Sequence, residues 1–574
     1  MRSHLLLFLL VGVFGCTGNP PALPPQAAKG STDPEKHAFP FVLEENAIPF
    51  THDSGARGKR YIGEAVGSGG ALVDVDGDGI LDLYLVQGAP DADEPDGKQP
   101  KSNILFRGTK TGFVPFAESY ASGDTNDGMG CAAGDFDGDG DWDLYITNDG
   151  PDRLLINDGR GNFTDETEAR GIDQTRFGSA VSTVDIDLDG DLDIFLGHYL
   201  EFSKDNFKPC MRDDLEVYCA PKVYPGVPCA LLINDGSGNF TDVSEEAGLN
   251  SLPSKALGTL TTDIDQDGDT DIYVANDGEA NFLLLNLFKE TGKVRFSEEA
   301  LLSGCALGEG AKKEAGMGVD AVDLDRDGDE EILVTNFEAQ TNSCYRNDGD
   351  GLFLETSFFN GMGSPSLPWV GFGIRNMDVN LDTIPDIFVT NGHVIDNIGE
   401  VSSGKILFAQ PDQIYIGSAE GFEVSNPHED APLKVGRAAI SGDIDNDGDL
   451  DLIVTCWQDS PRILRSTAAG SAPVIGIELV GDGITSTTNA IGARLKVKSG
   501  GQEWTREHRV QSSYLSSHDP RQLFALPKGE TSAEVTIQWP DGSQETKTLD
   551  AGSYHLWEMG KGITTKTAFM PAKP

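Results

Sequence analysis

Acidic side chains recur along this chain at a spacing suited to binding a hard cation. A nonapeptide with the pattern Asp-x-Asp-x-Asp-Gly-x-x-Asp, or close to it, begins at seven positions: Asp74, Asp135, Asp185, Asp263, Asp323, Asp378 and Asp443. Carboxylates at positions 1, 3, 5 and 9 around a sharp glycine turn suit an ion that takes six to eight oxygen ligands. The pattern therefore predicts calcium binding, with position 7 adding a backbone carbonyl.

The predicted ligands are the four side chains at those positions in each copy. In copies 1 to 4 they are Asp74, Asp76, Asp78, Asp82, Asp135, Asp137, Asp139, Asp143, Asp185, Asp187, Asp189, Asp193, Asp263, Asp265, Asp267 and Asp271. In copies 5 to 7 they are Asp323, Asp325, Asp327, Glu331, Asp378, Asn380, Asp382, Asp386, Asp443, Asp445, Asp447 and Asp451. Copy 6 lacks the glycine at position 6 and has an asparagine in place of one carboxylate, so we expect weaker binding there.

Two other interpretations of these loops compete with calcium binding. An EF-hand needs a bidentate glutamate at position 12 between two helices, whereas position 12 here is an apolar residue such as Leu85 or Ile146. The loops could also be solvated turns, but several carboxylates within nine residues repel one another unless a cation or hydrogen-bond donors offset them. We expect a structural ion, because no copy has an activating group at the distinctive spacing of a catalytic metal.

Strand-like segments flank the acidic loops. Small and apolar residues come before a loop, as in 130–134 (Gly-Cys-Ala-Ala-Gly), and β-forming residues follow, as in 272–274 (Ile-Tyr-Val). A second hairpin signal, Asn-Asp-Gly-x-Gly, begins at Asn157, Asn234 and Asn347. One unit is therefore about four antiparallel strands, and seven units predict an all-β fold with a seven-bladed β-propeller.

The phase of the repeat predicts how the ring closes. A strand led by phenylalanine precedes each acidic loop; the first, at Phe41, has no blade before it, whereas the last blade lacks its own outer strand. We expect the Phe41 strand to pair near Ile463 and complete that blade. The predicted domains are a signal peptide at 1–15, a Pro-rich tether at 16–38, the propeller at 39–468, a small β domain at 469–560 and a tail at 561–574.

The composition limits the partners. The chain has 93 acidic and 43 basic residues, for a net charge of −50. Nucleic-acid binders need basic faces, so we expect no nucleic-acid partner. The same charge opposes unassisted binding to anionic membranes, so we expect membrane contact only through a lipid.

The N-terminus has the features of an export signal. Arg2 is followed by an apolar run that is too short to span a bilayer as a mature helix. Residues 13–16 (Val-Phe-Gly-Cys) resemble the lipobox of bacterial lipoproteins, which implies a lipid on Cys16 and attachment to the outer membrane, facing the periplasm or the outside. Ordinary signal cleavage nearby is the alternative.

The remaining cysteines lie in a disulfide-permissive setting. Cys210, Cys219 and Cys229 lie in the longest insertion between repeats. We predict a Cys210–Cys219 bridge, because it would staple a loop with no core of its own, and we also consider a Cys305–Cys344 bridge.

Two further groups of residues have both a functional and a structural interpretation. Ser512, Ser513, Ser516 and His518 could form a nucleophile and base, but no Gly-x-Ser-x-Gly elbow or orienting group accompanies them, and we favour a polar loop. In the insertion, Phe207, Tyr218 and Tyr224 could contact a ligand or pack a small core of their own; both alternatives stay open.

The chain resembles a known combination of modules. The acidic loops resemble FG-GAP, or VCBS-type, repeats, and residues 489–542 resemble an ASPIC and UnbV domain through 491–494 (Ile-Gly-Ala-Arg), 513–516 (Ser-Tyr-Leu-Ser), 519–521 (Asp-Pro-Arg) and 539–542 (Trp-Pro-Asp-Gly). Together they resemble bacterial relatives of the cartilage acidic protein family. The resemblance implies a calcium-binding adhesion module for protein or glycan ligands. An extracytoplasmic enzyme, or an accessory factor in a secreted assembly or biosynthetic pathway, is the alternative.

Overall fold

The computed structural model describes residues 41–89, 101–116, 123–349, 351–427 and 431–572. Strands dominate these segments, and the helices are short turns. The α-helical turns are Phe288–Thr291, Ala300–Ser303, Gly363–Ser366 and Ile398–Val401, and the 3-10 turns are Ile62–Ala65, Lys204–Asn206, Pro221–Val223 and Leu249–Ser251. None of the helices in these segments has the length and apolar character needed to cross a bilayer. The predicted signal peptide, Cys16 and the whole predicted tether lie outside the described residues.

Seven sheets share one antiparallel four-strand order, and an acidic loop joins the first strand of each sheet to the second. Sheets 1 to 4 contain Gly70–Val73, Asp82–Leu85, Ile104–Thr109 and Gly112–Pro115; Gly128–Gly134, Asp143–Asn148, Arg153–Asn157 and Phe163–Asp165; Gly178–Val184, Asp193–His198, Ala230–Asn234 and Phe240–Asp242; and Ala256–Thr262, Asp271–Asn276, Phe282–Asn286 and Phe296–Glu298. Sheets 5 to 7 contain Val319–Val322, Glu331–Val334, Ser343–Asn347 and Phe353–Glu355; Gly371–Met377, Asp386–Asn391, Gln413–Ser418 and Gly421–Ser425; and Gly436–Gly442, Asp451–Cys456, Arg462–Ser466 and Phe41–Glu45.

The first strands of the sheets lie side by side in cyclic order. Each contacts the first strand of the next sheet, and the first strand of sheet 7 contacts that of sheet 1. In sheet 7 the outermost strand comes from the start of the described chain, with Phe41 opposite Ser466 and Glu44 opposite Ile463. This pairing is the one predicted from the phase of the repeat. The predicted all-β class and propeller-like architecture are confirmed.

The small residues before the acidic loops allow close approach of backbones near the centre of the molecule. A Cβ atom on Gly69 would lie 2.0 Å from the carbonyl oxygen of Leu515, and one on Gly318 would lie 2.1 Å from that of Phe372. Any side chain at either position would collide with backbone. These glycines therefore serve packing around the axis.

The C-terminal domain contains two four-stranded sheets. One has the order Gln522–Ala525, Val474–Val480, Ser553–Glu558 and Gly562–Ala568, and the other has the order Gln502–Glu507, Arg494–Ser499, Ser532–Gln538 and Gln544–Asp550. Their facing sides bury an apolar core around Trp539 and Trp557. The expected boundary at residue 560 falls within a hairpin, because Gly562–Ala568 pairs with Ser553–Glu558. Residues 562–568 of the expected tail therefore form a strand of the domain, which the repeat pattern could not signal because this strand belongs to no repeat.

Candidate metal centres

The first carboxylate of an acidic loop organises the turn. In copy 2, Asp135 Oδ1 accepts the N–H groups of Gly138 (2.9 Å) and Asp139 (3.1 Å), and Oδ2 accepts that of Gly140 (2.9 Å). Gly140 has φ 97°, a left-handed conformation that glycine adopts without steric cost. The glycine at position 6 therefore turns its N–H toward the first carboxylate without steric strain.

Copy 6 keeps this geometry without the glycine. Thr383 has φ 80°, and its N–H donates to Asp378 Oδ2 at 2.7 Å. A threonine held in this region costs about 1–3 kcal/mol, and the cost is offset by neighbours, because the Thr383 carbonyl accepts the indole N–H of Trp504 (3.2 Å). The C-terminal domain thus supports the loop whose sequence departs furthest from the repeat.

The ninth residue joins its loop to the third strand of the sheet. Asp143 is fully buried, and it accepts the N–H groups of Phe136 (2.9 Å) and Asn157 (2.8 Å). Asp82, Asp193 and Asp271 make the same pair of bonds in their own sheets. Position 9 therefore has a structural role in addition to the metal-binding role predicted for it.

Several loops also contain buried carboxylate oxygens that no hydrogen-bond donor reaches within the described residues. They include Asp76 Oδ1, Asp137 Oδ1, Asp187 Oδ1, Asp263 Oδ1, Asp323 Oδ1 and Glu331 Oε1. Buried oxygens without a partner are rare in native proteins because leaving them unpaired costs free energy. A cation held by these oxygens would remove that cost.

The predicted ligands come together in space. Four groups from copies 1 to 4 each place three ligand atoms within 4.8 Å of one another: Asp74, Asp76 and Asp78; Asp135, Asp137 and Asp143; Asp185, Asp187 and Asp193; and Asp263, Asp265 and Asp271. Oxygen-only donor sets of this kind fit a hard divalent cation such as calcium. Acidic residues that the spacing predicted as ligands therefore form clusters that could hold a metal.

Burial and mutual repulsion both act on these carboxylates. Burial raises the pKa of Asp82 and of Asp185 to about 7, with nearby aspartates adding to the rise. In copy 6, burial raises the pKa of Asp386 to about 8. These carboxyls thus resist ionisation unless a positive charge compensates them.

The C-terminal domain lies against the face of the sheets that carries the acidic loops. Thr488 donates its hydroxyl to Asp135 Oδ2, and Asn489 Oδ1 accepts the N–H of Asp135 (2.6 Å). In copy 7, Tyr554 donates its hydroxyl to Asp443 Oδ2 (2.7 Å). Sequence reasoning missed these contacts, because the partners lie far apart in the chain and no spacing connects them.

Residues 509–518 of that domain, here called the channel segment, enter the centre of the ring of first strands. They bond to every one of the seven sheets: Gly70 N–H to Ser516 Oγ, Cys131 N–H to the Leu515 carbonyl, Thr183 Oγ1 to Gln511 Oε1, Arg509 Nε to the Thr261 carbonyl, Val319 N–H to the Ser513 carbonyl, Ile374 N–H to Ser513 Oγ and Ser441 N–H to His518 Nδ1. Strands Gln511–Ser512 and Ser516–Ser517 also extend sheet 1. The segment therefore fills the central channel that the seven first strands enclose.

The serine and histidine cluster belongs to this segment. Ser516 Oγ donates to the Tyr514 carbonyl (3.0 Å), and Ser517 Oγ accepts the N–H of Ala133 (2.9 Å). His518 is buried, and desolvation lowers its pKa well below the usual range. These side chains bond to the channel wall, which agrees with the favoured interpretation of a polar loop.

The long insertion lies at the other end of the sheets, because it joins the second strand of sheet 3 to the third. Cys210 and Cys219 form a disulfide across the hairpin of Cys210–Arg212 and Leu215–Val217. Cys305 and Cys344 are both free, so the Cys305–Cys344 bridge considered above is wrong; each thiol is buried in a different apolar cluster.

The aromatic residues of the insertion pack inward. Tyr224 is 3% exposed and contacts Phe202 edge to face, and Phe207 contacts Tyr61 in the same way. Tyr218 is 5% exposed and donates its hydroxyl to Glu64 Oε2 (3.0 Å). Of the two alternatives, the packed core is therefore the one observed for the two tyrosines.

Two families of known protein modules match parts of this chain. Residues 74–146, 135–196 and 263–334 match the FG-GAP-like repeat, and residues 483–559 match the ASPIC and UnbV family. The chain thus combines FG-GAP-like repeats with an ASPIC and UnbV domain, as its motifs predicted.

Particular relatives can also be named. Human cartilage acidic protein 1 is 25% identical over 456 residues, which cover 74% of this chain and 61% of the human protein. The Xenopus tropicalis cartilage acidic protein 1 is 23% identical over 542 residues, covering 89% of this chain and 75% of that protein. Among solved structures, an Agrocybe aegerita lectin that recognises non-reducing terminal N-acetylglucosamine has a TM-score of 0.39 and 15% identity, covering 64% of this chain and 81% of the lectin.

Proposed function

We propose that this chain is an extracytoplasmic, calcium-binding, seven-bladed propeller that binds protein or glycan ligands without chemical turnover. The observation that carries the proposal is the set of buried carboxylate oxygens, such as Asp137 Oδ1, that no hydrogen-bond donor reaches. FG-GAP-like repeats on a propeller-like scaffold fit a binding module.

The calcium ions would be structural. Asp135, Asp137, Asp139 and Asp143 would hold the ion of copy 2, and the corresponding residues would hold those of the other copies. When bound, calcium supplies positive charge that lets these clustered carboxylates ionise together. The chain's own residues then fix the first strand to the second through the loop, and Thr488 holds the C-terminal domain against it.

Chelation tests the metal proposal. An ion that binds only the folded state adds about 2.7 kcal/mol per site at a free concentration of 100 times Kd. Scanning calorimetry of the full chain should therefore show a melting temperature several degrees higher in calcium than in excess chelator. An unchanged melting temperature would refute calcium binding at these loops.

The ligand surface that we propose is the end of the sheets that carries the insertion. The C-terminal domain covers the acidic-loop face, and the channel segment fills the centre, so the insertion face is the open end of the scaffold. Exposed loops on a rigid scaffold commonly carry binding residues. The hairpin presents Met211, which is 61% exposed, next to exposed Arg212.

A glycan array and a pull-down, each run with calcium and with chelator, would identify the ligand. The double substitution Met211→Asp and Arg212→Glu should abolish binding without lowering the melting temperature. A matched control is Leu352→Asp, an apolar residue of similar exposure (54%) in the outer hairpin of sheet 5, at the acidic-loop end of the sheets. Binding that survives the hairpin substitutions would place the site elsewhere, with the C-terminal domain next.

Attachment through a lipid on Cys16 is the proposed location, supported by the residues before it. Replacing Cys16 by serine should release the chain from bacterial membranes into the soluble fraction. A variant that stays with the membranes would show that the cysteine is not the anchor.

A hydrolase is the second candidate, because two carboxyl groups adjoin on the insertion face. The backbone N–H of Asp149 donates to the backbone carbonyl of Asp127 (2.8 Å). Burial raises the pKa of Asp127 to about 7 and that of Asp149 to about 8, and the charge of Asp127 adds to the rise at Asp149. Turnover of any array-identified glycan that Asp149→Asn abolishes would favour this candidate over simple binding.

A further inference from the structure

A cavity lies between the C-terminal domain and sheets 5, 6 and 7. Its empty volume is about 800 Å³, part of which is open to solvent. Four arginines line it: Arg375 from the first strand of sheet 6, and Arg506, Arg509 and Arg521 from the C-terminal domain. So many guanidinium groups at one junction raise the question of what balances their charge.

Three of the four arginines have carboxylate partners. Arg375 Nη1 lies 3.2 Å from Asp320 Oδ2, Arg521 Nη2 lies 2.8 Å from Asp519 Oδ2, and Arg509 forms an ion pair with Glu330. Arg506 differs. Its Nη1 donates to the side-chain oxygen of Gln522 (3.2 Å) and to the Leu523 carbonyl (3.3 Å), both neutral. Among the described residues no carboxylate forms an ion pair with it.

Arg506 also lies within the field of another buried cation. Desolvation and the charge of Arg375 lower the pKa of Arg506 to about 10, while Glu330, Asp320 and Asp378 oppose that shift. Desolvation also lowers the pKa of Arg375, where Asp320 opposes the shift and Arg509 adds to it. The ring of Phe524, 4.5 Å from the guanidinium carbon of Arg506, covers one side of it. Like charges in a buried site repel unless an opposite charge lies between them.

A buried donor faces the same space. His518 is 3% exposed, and its Nδ1 accepts the N–H of Ser441, so the ring proton is on Nε2. Nε2 has no acceptor in hydrogen-bonding geometry within the described residues. Desolvation lowers the pKa of His518, and the nearby Ser512 backbone opposes that shift. The cavity therefore offers a guanidinium without an ion-pair partner among the described residues, beside a buried imidazole.

The carboxylates that line the cavity are engaged elsewhere. Glu507 Oε2 accepts the Thr262 hydroxyl (2.9 Å) and the N–H of Asp263 (3.1 Å). Asp378 and Asp449 belong to acidic loops 6 and 7, where they accept the backbone N–H groups of Thr383 (2.7 Å) and Ala469 (2.6 Å). Asp320 and Asp519 have the arginine partners given above.

We propose that this cavity binds a small oxyanion, held by Arg506, Arg375 and His518. A planar guanidinium donates two parallel N–H bonds to carboxylate, phosphate or sulfate oxygens, and an imidazole N–H adds a third donor. The anion would bridge sheet 6, the channel segment and the C-terminal domain. The site adjoins acidic loops 6 and 7 through Asp378 and Asp449, and it lies at the opposite end of the sheets from the ligand surface proposed above.

Titration calorimetry of the calcium-loaded full chain tests the proposal with three probes at matched ionic strength: sulfate, acetate and chloride. We expect saturable binding of sulfate or acetate with a stoichiometry of one, and none of chloride. Preference for sulfate would identify a tetrahedral oxyanion such as phosphate, and preference for acetate a carboxylate. Neither binding more tightly than chloride would overturn the proposal.

Two variants place the site. Arg506→Gln should weaken binding of the preferred anion at least tenfold, whereas Arg153→Gln, an arginine on the third strand of sheet 2 that pairs with Asp165 (3.4 Å), should leave it unchanged. Equal affinity of both variants would overturn the assignment.

A second measurement covers the case in which Arg506→Gln does not fold. Crystals of the unsubstituted chain soaked in selenate, a sulfate analogue, should show an anomalous peak within hydrogen-bonding distance of the Arg506 guanidinium. A peak only on the outer surface, or none, would refute the site.

Discussion

Asp137 and Asn380 occupy the same position in two acidic loops, but their surroundings differ. Asp137 has one buried oxygen that no donor reaches and another that accepts Arg170 Nη2 at 3.0 Å. Asn380 donates its amide N–H to Asp382 Oδ2 (3.1 Å), so a neutral side chain already engages one carboxylate oxygen of loop 6. The chemical difference between the two loops therefore lies at position 3 as much as at the missing glycine.

Asp137→Ala should remove the calcium site of loop 2, whereas Asn380→Ala should change calcium binding much less. The first substitution deletes a charged ligand, and the second deletes a neutral one from a loop already short of a carboxylate. Calcium titration of both variants by calorimetry would show the difference as a lost equivalent. The same loss in both variants would mean that loop 6 binds calcium as well as loop 2.

Thr488→Val should weaken calcium binding at loop 2 without deleting a ligand. The threonine hydroxyl donates to Asp135 Oδ2, and partners that orient a ligand typically contribute 10–100-fold to metal affinity. Thr546→Val is the control, since Thr546 is exposed and contacts only Thr536 on the outer side of the C-terminal domain. If both variants bind calcium alike, the C-terminal domain does not support the site.

At the scale of elements, strand Phe41–Glu45 completes sheet 7 from the far end of the chain. Its acidic residues pair with the neighbouring strand, Glu44 with Arg465 (3.5 Å) and Glu45 with Arg462 (3.7 Å). These two ion pairs are partly exposed, so we expect most of the strand's contribution to come from backbone pairing and from Leu43.

Removal of residues 1–46 should lower the melting temperature by several degrees, because strand Arg462–Ser466 would lose its partner and become an edge. A chain lacking only residues 1–39 is the matched control and should melt like the full chain. Scanning calorimetry of both would decide; equal melting temperatures would show that the strand contributes nothing to stability.

The sequence predicted the elements that follow a period. Seven acidic loops, their flanking strands and the pairing of Phe41 near Ile463 all came from spacing and phase. The channel segment could not be predicted this way, because its bonds join residues such as Gly70 and Ser516 that share no repeat. The same limit applies to Arg506. It stands out only in the folded structure, where no carboxylate among the described residues forms an ion pair with it.

For the whole molecule, the buried carboxylates connect stability to pH. Burial raises the pKa of Asp82 and Asp185 from 3.8 to about 7 and that of Asp386 from 3.8 to about 8 in the calcium-free fold. Between the unfolded pKa of 3.8 and these folded pKa values, the folded chain binds more protons than the unfolded chain, so the free energy of unfolding falls as pH rises. The stability that calcium adds has the opposite pH dependence and increases with pH, because calcium requires the ionised form and competes with protons.

The melting temperature in chelator should therefore decrease from about pH 5.5 to about pH 8, and the calcium-induced increase in melting temperature should grow over the same interval. Buried histidines, such as His52 with a pKa lowered to about 3, affect stability equally in calcium and in chelator. Their contribution therefore cancels in the calcium-induced increase in melting temperature. Scanning calorimetry at these two pH values, in calcium and in chelator, measures the calcium-induced increase in melting temperature. A calcium-induced increase that shrinks toward pH 8 would contradict the assignment.

The channel segment has a consequence for how the chain folds. Residues 509–518 supply hydrogen bonds to first strands that were synthesised hundreds of residues earlier, the longest separation being 446 residues between Gly70 and Ser516. Forming contacts of such separation costs loop-closure entropy, and this cost reduces the folding rate. Until the segment arrives, seven strands expose unpaired backbone groups toward a wet axis. The centre of the ring can therefore be completed only after residues 509–518 have been synthesised, so a chain interrupted before this segment retains an open, unfinished centre.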